Sequence, residues 1–293
     1  MVANAIEVPG GRAVRRRWGR FFEFCGRYPT VVLGAAVLIL MVLLAVCAPL
    51  LAGDPMRIKP IFRLKPPGEA FWFGADFLGR DVYARTVYGG RISLIVGGAV
   101  ALISTVLGLL VGLLAGYVRW FDAVVMRFMD GLMAIPGVLL AIALISLAGA
   151  SLANVVIAIT VPEIPRVVRL VRSVVLTIRE QPYVEAAVAV GSPLPKILWK
   201  HILPNTVAPL IVQATYVCAS AVVIEAILSF LGAGTPPEIP SWGNIMAEGR
   251  VYFQIAPWII FFPGLLLAIT VLAVNILGDG LRDSLDPRIA RRM

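Results

Sequence analysis

Apolar residues run in long blocks along this chain, and polar residues collect between the blocks. The blocks predict six spans, at about 31–51, 92–117, 124–148, 152–161, 206–231 and 255–277. Several reach the roughly 18–20 apolar residues a helix needs to cross a bilayer. They do not alternate in the way the strands of a membrane β-barrel do. Pro136-Gly137 is expected to kink the third span, and Pro162 and Pro165 to break or kink the fourth. In the second span Gly108, Gly112 and Gly116 recur every four residues, so one helix face is nearly bare backbone. Such a face favours close helix packing in lipid.

Between the blocks the pattern gives a basic segment at 1–30, a first transmembrane helix at 31–52 and an extracytoplasmic loop at 53–91. A membrane-embedded core then occupies 92–278, including a polar insert at 163–205, and a charged tail closes the chain at 279–293. By parity, an inside N-terminus puts 118–123, the insert and the C-terminus inside as well. The inside segments hold most of the cations, as the positive-inside rule requires. The loop opposes that rule, because it carries Arg57, Lys59, Arg63, Lys65, Arg80, Arg85 and Arg91. The three arginines Arg166, Arg169 and Arg172 form one basic stripe on a helix leaving the membrane, placed to anchor at headgroups.

Composition narrows the class. At 59% hydrophobic residues and a mean hydropathy of +0.90, the chain reads as an all-α polytopic membrane protein. Its net charge of +9 does not call for nucleic acid, since most basic residues flank apolar runs. Leu44-Ala45-Val46-Cys47 fits a lipoprotein cleavage site poorly, and an uncleaved span is expected there. Cys25, Cys47 and Cys218 are scattered, so neither a disulfide frame nor a metal site is indicated. No GxxxxGK[ST] is present, so the chain has no Walker-type nucleotide site of its own.

The insert holds the chemistry. Tyr183–Val190 reads as a short amphipathic helix with Pro182 in its first turn and Glu180 and Glu185 near its positive end. Gly191 permits a sharp reversal. A second short segment, 194–202, carries Lys196, Lys200 and His201, and Pro204 is expected to end it at the membrane. The result is a helix-turn-helix bump with small alanine faces able to enter a groove on a soluble partner.

Glu185-Ala186-Ala187, Gly191 and Leu203-Pro204 stand at the spacing of the "EAA" loop, and the chain here resembles the permeases of importer-type ABC transporters. The usual isoleucine before x-Leu-Pro is His201 in this chain. Phe73-Gly74-Ala75-Asp76 to Gly90-Arg91-Ile92-Ser93-Leu94, Ser229-Phe230-Leu231-Gly232 to Ser241-Trp242-Gly243, and the Gly278–Arg288 tail are similar to the C-type permease of dipeptide, oligopeptide and nickel importers. Together these segments cover the chain from about residue 70 onward.

The resemblance implies a type I importer fold of about six transmembrane helices, with a cytoplasmic coupling helix, in a bacterial or archaeal cytoplasmic membrane. It implies a second homologous permease, one or two cytoplasmic ATPase subunits, and an extracytoplasmic substrate-binding protein. ATP and Mg act on the partner subunits and no cofactor is bound by this chain, which is a non-catalytic membrane subunit. It assigns ATPase coupling to Tyr183, Glu185, Ala186, Ala187, Gly191, Lys196, His201, Leu203 and Pro204. Asp76, Arg80, Asp81, Glu225 and Trp242 become candidates for binding-protein contact or an outer gate. Glu163, between two prolines, reads as an interfacial cap.

Other classes fit less well. An ion-coupled transporter would pair intramembrane acids across repeats, and Glu225 has no matching partner in a second half. An intramembrane serine protease would need a histidine within a span, and the single His201 lies outside them. The pattern leaves the cargo open among dipeptide, longer peptide, glutathione-like peptide and nickel chelate.

Overall fold

The computed structural model of the chain describes residues 26–285. Residues 1–25 of the basic segment, Cys25 included, and the end of the tail lie outside them. The described residues form α-helices joined by loops and short helical turns. The helices are α1 (Pro29–Val46), α2 (Ala48–Leu51), α3 (Val82–Tyr117), α4 (Arg119–Met133), α5 (Gly137–Ala148) and α6 (Leu152–Arg179). They continue as α7 (Pro182–Ala189), α8 (Leu194–Ile197), α9 (Leu203–Phe230), α10 (Trp242–Gly249) and α11 (Trp258–Leu285).

The bundle is built around α3 and α6. Gly108, Gly112 and Gly116 meet Val167, Val171 and Val175, a second ladder with the same four-residue step. A methyl group at these glycines would fall 2.5–2.7 Å from the facing valine carbons, well inside van der Waals contact. The expected glycine face is thus used within the chain, with α6 as its partner. Gly112→Ala is expected to lower the unfolding temperature in detergent, at an overpacking cost of about 1–3 kcal/mol. Gly98→Ala is the control, since nothing lies within 4 Å of the added carbon.

Several expected boundaries move. The second span begins ten residues early, because Asp81 caps α3 by accepting a hydrogen bond from Tyr83 N at 2.9 Å. Residues 82–91 are therefore the first turns of a helix about 54 Å long at 1.5 Å per residue, and not part of the loop. The first span breaks at Cys47, where Pro49 cannot continue the preceding helix. The third span is two helices bent by 88° at the Pro136-Gly137 joint. The last span runs on to Leu285, into the segment assigned to the tail.

The fourth span differs most. α6 passes through Pro162 and Pro165 without a break, and its buried valines pack along its length. It also carries Glu163, Arg166, Arg169 and Arg172, so it is not apolar enough to count as a span. Among the described residues four helical stretches are long and apolar enough to cross a membrane, or five if the bent pair is one span. The apolar start of α6 is short, and the arginines that follow it are paired at the surface of the bundle, Arg166 with Glu163 and Arg169 with Asp130.

Pro204 also departs from expectation. It ends nothing: α8, a π-helical turn at Leu198–Ile202 and α9 form one continuous rod. In the π turn Leu203 N reaches back to Leu198 O. The wider turn relieves the clash that a proline ring makes with the carbonyl four residues earlier.

Candidate functional site

The first site is the bump at one end of the bundle. Val184, Ile197 and Ile202 are buried and pin its two limbs to the core. Glu185, Ala186, Lys196 and Pro204 are exposed, while Ala187, His201 and Leu203 are half-buried. Gly191 sits at φ +78, in the left-handed region that a glycine occupies without strain, and its N–H donates to Val188 O at 2.9 Å. The limbs meet again where the Tyr183 and His201 rings lie 6.1 Å apart. Asn205 Nδ2 donates to His201 O at 2.7 Å and to Tyr183 Oη at 3.4 Å. The structure thus brings Tyr183, Gly191 and His201 into one small module that presents Glu185 outward.

Sequence reasoning missed Trp199. It is 75% exposed on the π turn, beside Lys196 and Lys200. An exposed tryptophan between cations suits a contact with another molecule, since aromatic residues are enriched where proteins meet.

The second site lies at the opposite end of α3. Asp76, Arg80 and Arg85 are buried there and meet Glu248 of α10. Arg80 Nε donates to Asp76 Oδ2 at 2.6 Å, and Arg85 Nη1 reaches the same oxygen at 2.9 Å. Both arginines also bond Glu248 Oε2, each at 2.5 Å. Two cations and two anions cancel, which is how such charges are tolerated away from water. Trp242 is buried beside this cluster and donates from Nε1 to Thr86 O at 2.9 Å. Gly90 gives the ring its room. Together they clasp α10 onto the start of α3.

Glu225 is fully buried on α9 and accepts hydrogen bonds from Ser93 Oγ at 3.1 Å and Ser229 Oγ at 2.8 Å. It ties α9 to α3 one layer below the clasp. Asp76, Arg80, Glu225 and Trp242 therefore face inward and form an internal connection between helices. Asp81 is only partly buried. Burial pushes its carboxyl above its ordinary value, against the pull of the Tyr83 and Ala84 amides and of Lys59. Arg85 and Glu248 were not singled out from the sequence. Their partners lie 163 residues apart, and nothing local signals the pairing.

The arginine stripe of α6 is paired with carboxylates of the chain itself. Arg172 pairs with Asp122 and Arg169 with Asp130, both on α4, and Arg166 with Glu163 at 2.9 Å. Glu163 is itself buried and also accepts from Ser220 Oγ at 3.2 Å, so it is an interior link between α6 and α9 and not an interfacial cap. α4, which lies at 88° to α5, supplies Asp122 and Asp130 to the stripe.

Arg85 and Tyr117 stand at the two ends of one helix, about 48 Å apart at 1.5 Å per residue. Tyr117 borders the bump, and Arg179 Nη1 donates to Gly116 O at 3.3 Å beside it. A rigid rod thus joins the bump to the clasp.

Comparison with known proteins places the chain in a family. Residues 88–291 match the family described as binding-protein-dependent transport system inner membrane component. The chain is 59% identical, over 91% of its own length and 91% of the relative's, to a probable peptide ABC transporter permease protein of Sinorhizobium fredii. It is 40% identical to a dipeptide transport system permease protein of Alkalihalophilus pseudofirmus, over 93% of this chain and 90% of that one. It is also 40% identical to a glutathione transport system permease protein of Pectobacterium atrosepticum, over 97% and 95% of the two chains. The chain therefore belongs to the inner membrane components of binding-protein-dependent transport systems, as a permease of the ABC type.

Proposed function

We propose that this permease imports di- or oligopeptides across a cytoplasmic membrane, driven by ATP hydrolysis on partner subunits. The observation that carries the coupling is the bump: a rigid module, anchored by Val184, Ile197 and Ile202, that offers Glu185 and a small alanine face outward. An ATPase that grips this module moves α6 and α9 directly, because the bump joins the end of one to the start of the other. The clasp of α10 on α3 sits at the far end of the same bundle and serves as the outer gate. Closure and opening are then a rigid-body exchange between two packings. The peptide cargo is supported by the names carried by the relatives.

In this reading both termini and the bump are cytoplasmic, and a second homologous permease completes the path. A substrate-binding protein delivers cargo at the α10 end. A tag on this chain is expected to recover a second permease and one or two ATPases from membranes expressing the neighbouring genes. The reconstituted complex is expected to take up peptide only with ATP. Recovery of the chain alone, active in ion-driven uptake, would overturn the reading.

A further inference from the structure

The loop before α3 contains a two-lobed pocket that neither the bump nor the clasp uses. One lobe, about 140 Å³, is lined by Asp54, Arg57, Lys59, Phe71 and Asp81. The other, about 220 Å³, adds Trp72 and Tyr83 and shares Asp81 with the first. Both lobes fall below the roughly 300–1,000 Å³ of pockets for drug-sized ligands, so the space suits one or two residues of a peptide.

The pocket is shaped by the backbone. Gly79 lies at φ +75 directly against the Lys59 carbonyl, where any side chain would collide, and this contact folds the 57–59 segment over the turn before α3. Lys59 Nζ is held 5.5 Å over the Phe71 ring. Asp81 is fixed by Tyr83 N and Asp54 by Met56 N, each at 2.9 Å. The Trp72 and Tyr83 rings stand 5.1 Å apart in the second lobe.

The charges are placed unusually. Among the described residues the ion pairs are made by Arg80, Arg85, Arg166, Arg169 and Arg172, and none of Asp54, Arg57, Lys59 or Asp81 joins one. Two cations and two carboxylates thus line one small space without forming an ion pair among themselves. A simple anion would meet the carboxylates, and a simple cation would meet Arg57 and Lys59. A ligand carrying both charges satisfies all four groups, by charge-assisted hydrogen bonds at each end.

We infer that this pocket binds the free ammonium and carboxylate of a short unblocked peptide, with its side chain against the paired rings of Trp72 and Tyr83. The inference rests on the peptide-importer reading and gives that reading a receiving site on the loop.

The test is equilibrium dialysis of radiolabelled alanyl-alanine against the full chain in phosphatidylcholine nanodiscs. Saturable binding is expected. It should weaken about tenfold or more in Arg57→Gln and in Asp54→Asn, both on the exposed part of the loop, and with N-acetyl-alanyl-alanine-amide in place of the free dipeptide. Equal binding of the blocked peptide, or unchanged binding in both variants, would overturn the inference. Loss of dipeptide binding in phosphatidylethanolamine nanodiscs would overturn it too, by assigning the pocket to a zwitterionic lipid headgroup. ATP-driven uptake by the reconstituted complex separates the two readings. Uptake without pocket binding removes only the pocket, and pocket binding without peptide uptake removes only the importer.

Discussion

Gly191→Pro is expected to abolish ATP-driven uptake while the chain still inserts and assembles. Proline fixes φ near −65°, and this position requires +78. The substitution also removes the N–H that donates to Val188 O. The reversal between α7 and α8 cannot form, so Glu185 loses its place relative to the rod that starts at Leu194. Nothing lies within 4 Å of the position where a side chain would begin, so the damage stays in the turn. ATPase activity and uptake, measured together in proteoliposomes, should separate: hydrolysis persists and uptake falls to background. Normal uptake in this variant would remove the bump from the coupling mechanism.

Arg85→Met is expected to be the most destabilising change at the other end. Arg85 is fully buried and bonds both Asp76 and Glu248. Without it Arg80 alone faces two carboxylates, leaving one buried anion uncompensated. Breaking a buried pair from one side costs about 3–5 kcal/mol, a large share of a protein's net stability. Thermal unfolding in detergent should show a clear drop, and the α10 segment should become open to protease before the rest. A variant that unfolds like the wild type would show that the cluster does not hold α10.

The helical membrane class was legible because long apolar runs have few other uses. The glycine ladder was legible because a four-residue step has a direct geometric meaning on a helix. The bump was legible for the same reason: proline, glycine and a polar run punctuate the chain locally. What stayed hidden depends on distant partners. Pro162 and Pro165 read as a break or a kink, yet the helix continues through them with its valines buried on both sides. The ion pairs of the arginine stripe were not legible, because Asp122 and Asp130 stand on α4, 39 to 50 residues earlier in the chain. Asp76, Arg80 and Trp242 were singled out for binding-protein contact or an outer gate, and their burial, which depends on α10 folding back across the end of α3, had no local signal. Glu248 gave no local signal at all.

The π turn at Leu198–Ile202 has a consequence for what lengths this segment tolerates. Such a turn holds one residue more than an α turn, and each helical residue rotates what precedes it by about 100° and advances it 1.5 Å. Losing that residue would leave a regular helix of similar composition, yet it would swing the bump through more than a quarter of a circle relative to the buried face of α9. Glu185 would then no longer face the direction it faces now. Side chains along this stretch can vary as long as the anchors stay apolar, whereas its residue count works as a phase setting between the energy-receiving end and the transport path.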